Sequence, residues 1–191
     1  MLRISSVTIH LMICRSRFLA LSLFFASIFA LQAQPLSQVA MLWDDDVSQW
    51  VALDTEGNEM ASIRLTWATS DRLDAWTIET PDYTSEMRLK WRDDPNLWEM
   101  NVNGQWIEAQ TLLNNQLDRW RIKIGNERYT FQRAWPGRWE IRSTNADRWV
   151  TEIQFTGDLR DWVVDSNVEV WPEGLEYLLV MLAITTELEI R

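Results

Sequence analysis

EGLEYLLVMLAITTELEI, residues 173–190, is the most apolar stretch in a chain that otherwise reads as strand and turn. Pro172 stands just before it, a residue suited to opening a helix. Leu175 and the run Tyr177–Ile184 then leave no polar face, and Thr185-Thr186-Glu187 closes the run. Eight consecutive apolar residues fall far short of the roughly 20 needed to span a bilayer. A surface or partner helix carries an amphipathic stripe, whereas a helix apolar all round is buried on all sides. The segment, taken as a helix over 173–188, is therefore expected to sit inside a closed sheet.

The preceding chain supplies such a sheet. From about residue 47 to 171, short alternating runs are separated by turn dipeptides, and no sustained 3.6-residue period occurs. Glu56-Gly57-Asn58 tips one hairpin, Asn103-Gly104 a second and Gly125-Asn126 a third. WPGR (135–138), STNAD (143–147) and TGD (156–158) mark further reversals. The count is about twelve strands, a meander that closes into a barrel or sandwich without the fixed-period repeat of a propeller or solenoid. With a buried helix to house, the expectation is a mainly β fold: an antiparallel meander barrel of about 12 strands closed around one hydrophobic C-terminal helix.

The N-terminus reads differently. Arg3, Arg15 and Arg17 precede the apolar run Phe18–Leu31, and Ala33 supplies a small residue for cleavage, the pattern of a secretory signal peptide over 1–33. Residues 34–46 are then a lead-in and 47–190 the barrel domain. The expected location is outside the cytoplasm: periplasmic, envelope-associated or secreted. Cleavage would remove His10 and Cys14, the only His and the only Cys. The remaining 158 residues would hold no imidazole and no thiol, which excludes disulfides, Cys/His zinc sites, a Cys nucleophile and a Ser–His–Asp triad. It also leaves 28 acids against 15 basic residues, a net charge of −13. That balance argues against nucleic acid as a partner. No catalytic residue, metal ligand or cofactor site is assigned; paired acids such as Asp93 and Asp94 sit in a turn rather than across a cleft.

Thirteen tryptophans suggest stacking on sugars. Strand parity assigns eight of them, Trp67, Trp76, Trp91, Trp98, Trp120, Trp139, Trp149 and Trp162, to the aliphatic face, with Phe155 beside Trp149 and Ile153. The candidates for a ligand platform are those that parity or turns set apart: Trp43, Trp106, Trp135 and Trp171. Outward Arg88, Lys90, Arg119, Arg121 and Lys123 read as cross-strand ion pairs on a solvated face rather than as a basic binding stripe.

The terminal DWVVDSNVEVWPEGLEYLLVMLAITTELEI (161–190), with WVALDTEGNEMASIRL (50–65) near the front of the domain, resembles the LURP-one-related proteins, which share the Tubby C-terminal-like fold with phospholipid scramblases. The resemblance implies a 12-stranded barrel around one helix and a non-enzymatic binding or scaffold role, with lipid or protein as partner. The basic patch of Tubby-type phosphoinositide binding has no counterpart here. Asp161, Asp165 and Glu169, in the region implied for scramblase-type calcium, lack the spacing of a compact oxygen cage. The alternative function is a carbohydrate-binding β-module that uses exposed tryptophans.

Overall fold

The computed structural model describes residues 35–44, 46–67, 72–142, 147–168 and 171–190. The expected signal peptide and Glu169 lie outside the described residues. Twelve antiparallel strands close into a barrel around one helix, as expected from the sequence. They are β1 (Leu36–Trp43), β2 (Asp46–Asp54), β3 (Glu59–Leu65), β4 (Ala75–Glu79), β5 (Thr84–Leu89), β6 (Leu97–Val102), β7 (Gln105–Thr111), β8 (Arg119–Ile124), β9 (Glu127–Trp135), β10 (Arg138–Arg142), β11 (Arg148–Ile153) and β12 (Asp161–Ser166). Each strand pairs with its neighbours in sequence, and β1 pairs with β12 to close the ring. Closure leaves no free sheet edge. The stretch read as a lead-in, 34–46, thus contains β1, without which the barrel would stand open: Val39 is fully buried opposite Trp162.

Helix α1 (Leu175–Ile190) fills the bore. Every residue from Leu178 to Ile184 is fully buried. Its start lies two residues later than the sequence suggests, because Glu173 and Gly174 form the turn into the bore. Gly174 has φ +78°, and a Cβ there would lie 2.5 Å from Val102 Cγ2 and 3.1 Å from Met100 Cε. Only glycine fits both that backbone and that gap.

The few polar groups of α1 satisfy the indoles that surround it. Trp149 Nε1 donates to Glu176 Oε1 (3.1 Å), Trp76 Nε1 to Thr185 Oγ1 (3.1 Å) and Trp139 Nε1 to Glu187 Oε1 (3.0 Å). A buried N–H without a partner would cost about 1–3 kcal/mol, so these contacts also fix how α1 is rotated in the bore.

Burial pushes the Glu176 carboxyl above its ordinary value of 4.5, and the Trp149 N–H offsets this only in part. The folded protein therefore binds this proton more tightly than the unfolded chain, and stability falls as pH rises from 4.5 through the folded value. Glu176→Gln keeps an oxygen for Trp149 and removes the ionisation. It is expected to raise the urea midpoint at neutral pH, with the gain vanishing as pH falls well below 4.5, where both proteins are uncharged at this position.

For the tryptophans assigned by parity, alternation holds within the strands and fails beyond them. Trp50, Trp76, Trp98, Trp120, Trp139, Trp149 and Trp162 are buried, but Trp67 and Trp91 are exposed, as is Phe155. The reason is local: β3 stops at Leu65, β5 at Leu89 and β11 at Ile153, so these three rings lie past the last paired residue, where alternation no longer applies. The outer wall is polar. Arg88 pairs with Glu99 (3.1 Å), and Lys90 and Lys123 both reach Glu108 (2.8 and 3.8 Å). A membrane-spanning barrel has the opposite polarity, apolar outside and polar within. Among the described residues no helix is long and apolar enough to cross a membrane.

Candidate functional site

In an antiparallel meander the connections alternate between the two ends of the barrel. Those after β1, β3, β5, β7, β9 and β11 share one end, which is also where α1 finishes. Each of these six, taken with the strand-end residues that flank it, carries a large apolar side chain that the fold does not bury: Trp43 (the last residue of β1), Trp67, Trp91, Leu113, Trp135 (the last of β9) and Phe155, all 56–63 % exposed; Leu42 and Val47, close to Trp43, are exposed as well. For a twelve-stranded barrel at ordinary tilt the ring they form is roughly 24 Å across. At the other end none of the described connection residues is an exposed large hydrophobic; Trp106, the second residue of β7, stands nearest.

The rim is built from a recurring unit. In 43–50, 91–98 and 155–162 an exposed aromatic is followed three residues later by Asp and seven residues later by a buried Trp. Asp46, Asp94 and Asp158 each accept a bond from the backbone N–H two residues on, at 2.9, 3.0 and 3.0 Å, which shapes the turn. The same spacing holds at 113–120 with Leu113 and Gln116 in the first two places. Trp50, Trp120 and Trp162 then donate Nε1–H to the carbonyl three residues earlier, at 2.7, 2.8 and 2.9 Å. The other two connections vary the length: Trp67 precedes Trp76 by nine residues, and Trp135 precedes Trp139 by four. Backbone bonds, the Asp and the buried Trp hold these turns, so the exposed ring at the head of each unit is not needed to close it.

Inside the rim lies a cleft of ≈ 520 Å³ between residues 72–74, residues 89–95 and the end of α1. Leu73, Leu89 and Leu188 give it apolar walls, and Arg72, Asp74, Arg92, Asp93 and Glu189 give it charges of both signs. Arg72 bridges Asp74 (3.2 Å) and Asp93 (3.4 Å). Beside the cleft, Glu187 anchors α1 to the wall: Arg133 Nε (2.7 Å) and Nη2 (2.6 Å), Gly137 N (3.2 Å) and Trp139 Nε1 all donate to it.

The four platform candidates are not brought together. Trp43 and Trp135 belong to the rim, and the Arg138 guanidinium covers one face of Trp135 at 4.6 Å. Trp106 is exposed near the opposite end. Trp171, also at that end, is half-buried; its Nε1 donates to Ser166 Oγ (2.8 Å) and its ring meets Tyr129 edge-on at 5.6 Å. Sequence reasoning missed Trp67, Trp91, Leu113 and Phe155. The signal was the recurrence of an aromatic seven residues before a core Trp, hidden by variable spacing: successive rim residues lie 20 to 24 positions apart.

Asp165 is held by Arg148, and Asp161 accepts from Gln38 Nε2 at 3.4 Å. Among the described residues no group of three or more His, Cys, Asp or Glu side chains is arranged to hold a metal ion. No protein-family model matches the chain, nor does any curated protein or solved structure.

Proposed function

We propose that this chain is an exported, non-enzymatic binding or scaffold module of Tubby/LURP-one type, and that it binds through the barrel end where α1 finishes. One observation carries the reading. All six connections at that end, with their flanking strand-end residues, present a large apolar side chain that folding leaves in water; among the described residues of the other end the connections and strand-end residues present none, and Trp106, one residue into β7, is the exposed one nearest to it. Large apolar side chains concentrated at one end and kept in solvent favour that end as an interaction surface. The closed twelve-strand barrel with a buried C-terminal helix supports the family part of the proposal, and the signal-peptide pattern of residues 1–33 supports export.

The carbohydrate-binding alternative draws on the same indoles. The geometry favours it less, because Arg138 already occupies a face of Trp135 and Leu113 offers no ring for a sugar to stack on. Tryptophan emission of the full chain, titrated separately with dodecylphosphocholine micelles and with a panel of soluble glycans, tests the location of the face. At least one probe should shift the emission, and Trp67→Ser/Trp91→Ser/Trp135→Ser should abolish the shift while Trp106→Ser leaves it intact. A response that survives the triple variant and disappears with Trp106→Ser would place binding at the other end.

A further inference from the structure

We infer that the rim docks onto the surface of a zwitterionic phospholipid bilayer, inserting its aromatic tips at the level of the headgroups; this rests on the binding face proposed above and names its occupant.

Two observations select a lipid surface. The apolar groups are not gathered into a groove or a continuous patch. They are spread over the turns and strand ends of a ring, one site roughly every 60° around the barrel, with Leu42 and Val47 close to Trp43. A groove-bound chain or a sugar would meet one or two of them, whereas a planar surface meets all six at once. The chemistry also fits: four of the six are tryptophans, whose amphipathic rings settle where hydrocarbon gives way to headgroups. Leu113 and Phe155 supply the purely apolar remainder.

Charge selects the lipid. The six connections and their flanking strand-end residues hold six basic and ten acidic residues by sequence, so this end offers no net positive patch to an anionic headgroup. Much of the charge is paired within the rim. Arg160 reaches both Asp158 (2.6 Å) and Asp44 (3.3 Å), and Arg72 holds Asp74 and Asp93. Neighbouring guanidinium and carboxylate groups complement a headgroup that carries one phosphate and one ammonium. Exposed indoles add an attraction for the quaternary ammonium of choline. Binding should therefore be driven by apolar insertion, insensitive to salt and weakened by anionic lipid.

Flotation of the full chain with phosphatidylcholine vesicles tests this, beside vesicles in which a third of the lipid is phosphatidylserine. The expected result is binding to the neutral vesicles that withstands high salt and falls with phosphatidylserine. Trp67→Ser/Trp91→Ser/Trp135→Ser should weaken it by about a hundredfold, and the same three changes to Phe should retain most of it. Trp106→Ser should leave it unchanged. An unaltered urea transition in the variants separates lost docking from lost folding. Binding that strengthens with phosphatidylserine, or that the triple serine variant does not weaken, overturns the inference. Self-association in vesicle-free buffer that the same variant abolishes also overturns it, in favour of a second copy as occupant. If glycans titrate the rim tryptophans and neutral vesicles do not bind, the lipid inference fails and the binding face stands. If the rim variants alter no response to any probe, the binding face fails as well.

Discussion

Leu179→Asp is expected to leave the chain without a cooperative folding transition. Leu179 is fully buried in the middle of α1, within a bore lined by Ile, Met and Trp side chains. The carboxylate would have no partner there, and burying an unpaired charge costs more than about 5 kcal/mol. That is comparable to the whole stability of an ordinary domain, about 5–15 kcal/mol. Relief by rotating the helix is closed off. Any rotation that brings position 179 toward the wall also pulls Glu176, Thr185 and Glu187 away from the indoles of Trp149, Trp76 and Trp139. Far-ultraviolet circular dichroism through a urea series checks the prediction. A sigmoidal transition near the wild-type midpoint would mean that α1 is dispensable to the barrel.

Glu187→Ala should cost about 3–5 kcal/mol, the range for removing one partner of a buried ion pair. The carboxylate is 5 % exposed and serves four donors, so its loss leaves a guanidinium, an indole N–H and the Gly137 amide without their acceptor at once. Removing Arg133 as well, in Glu187→Ala/Arg133→Met, should recover part of the loss, since the uncompensated charge goes with it. Recovery should be incomplete because Gly137 and Trp139 still lack a partner. Urea midpoints of the two variants measure both steps. A double variant less stable than the single one would show that Arg133 contributes mainly through packing.

How far the sequence reveals this molecule depends on where a residue sits relative to the paired strands. The all-round apolar run Tyr177–Ile184 admits one placement for a helix in a β protein, and the structure puts it there. Asn103-Gly104 reads as a tight hairpin, and both residues do take positive φ (50° and 84°). Inside strands the two-residue alternation places Trp76, Trp98, Trp120, Trp139, Trp149 and Trp162 in the core. The rim was hard to read for the same physical reason. Trp67, Trp91 and Phe155 continue the alternation on paper, but hydrogen-bonded pairing ends before each of them, and the chain turns outward. β1 escaped notice because its buried residues Leu36 and Val39 are three apart: a register shift between Leu36 and Gln38 breaks the two-residue alternation by which a strand is read.

The central claim is that one end of this barrel faces a lipid surface, and an end-resolved measurement tests it most directly. The thirteen indole N–H groups of the full chain can be followed by nuclear magnetic resonance with phosphatidylcholine bicelles that carry a nitroxide at headgroup depth. The account predicts that Trp43, Trp67, Trp91 and Trp135 broaden first, while Trp106 and Trp171, at the opposite end, keep their signals. Broadening led by Trp106 and Trp171 would set the other end of the barrel against the bilayer and contradict it.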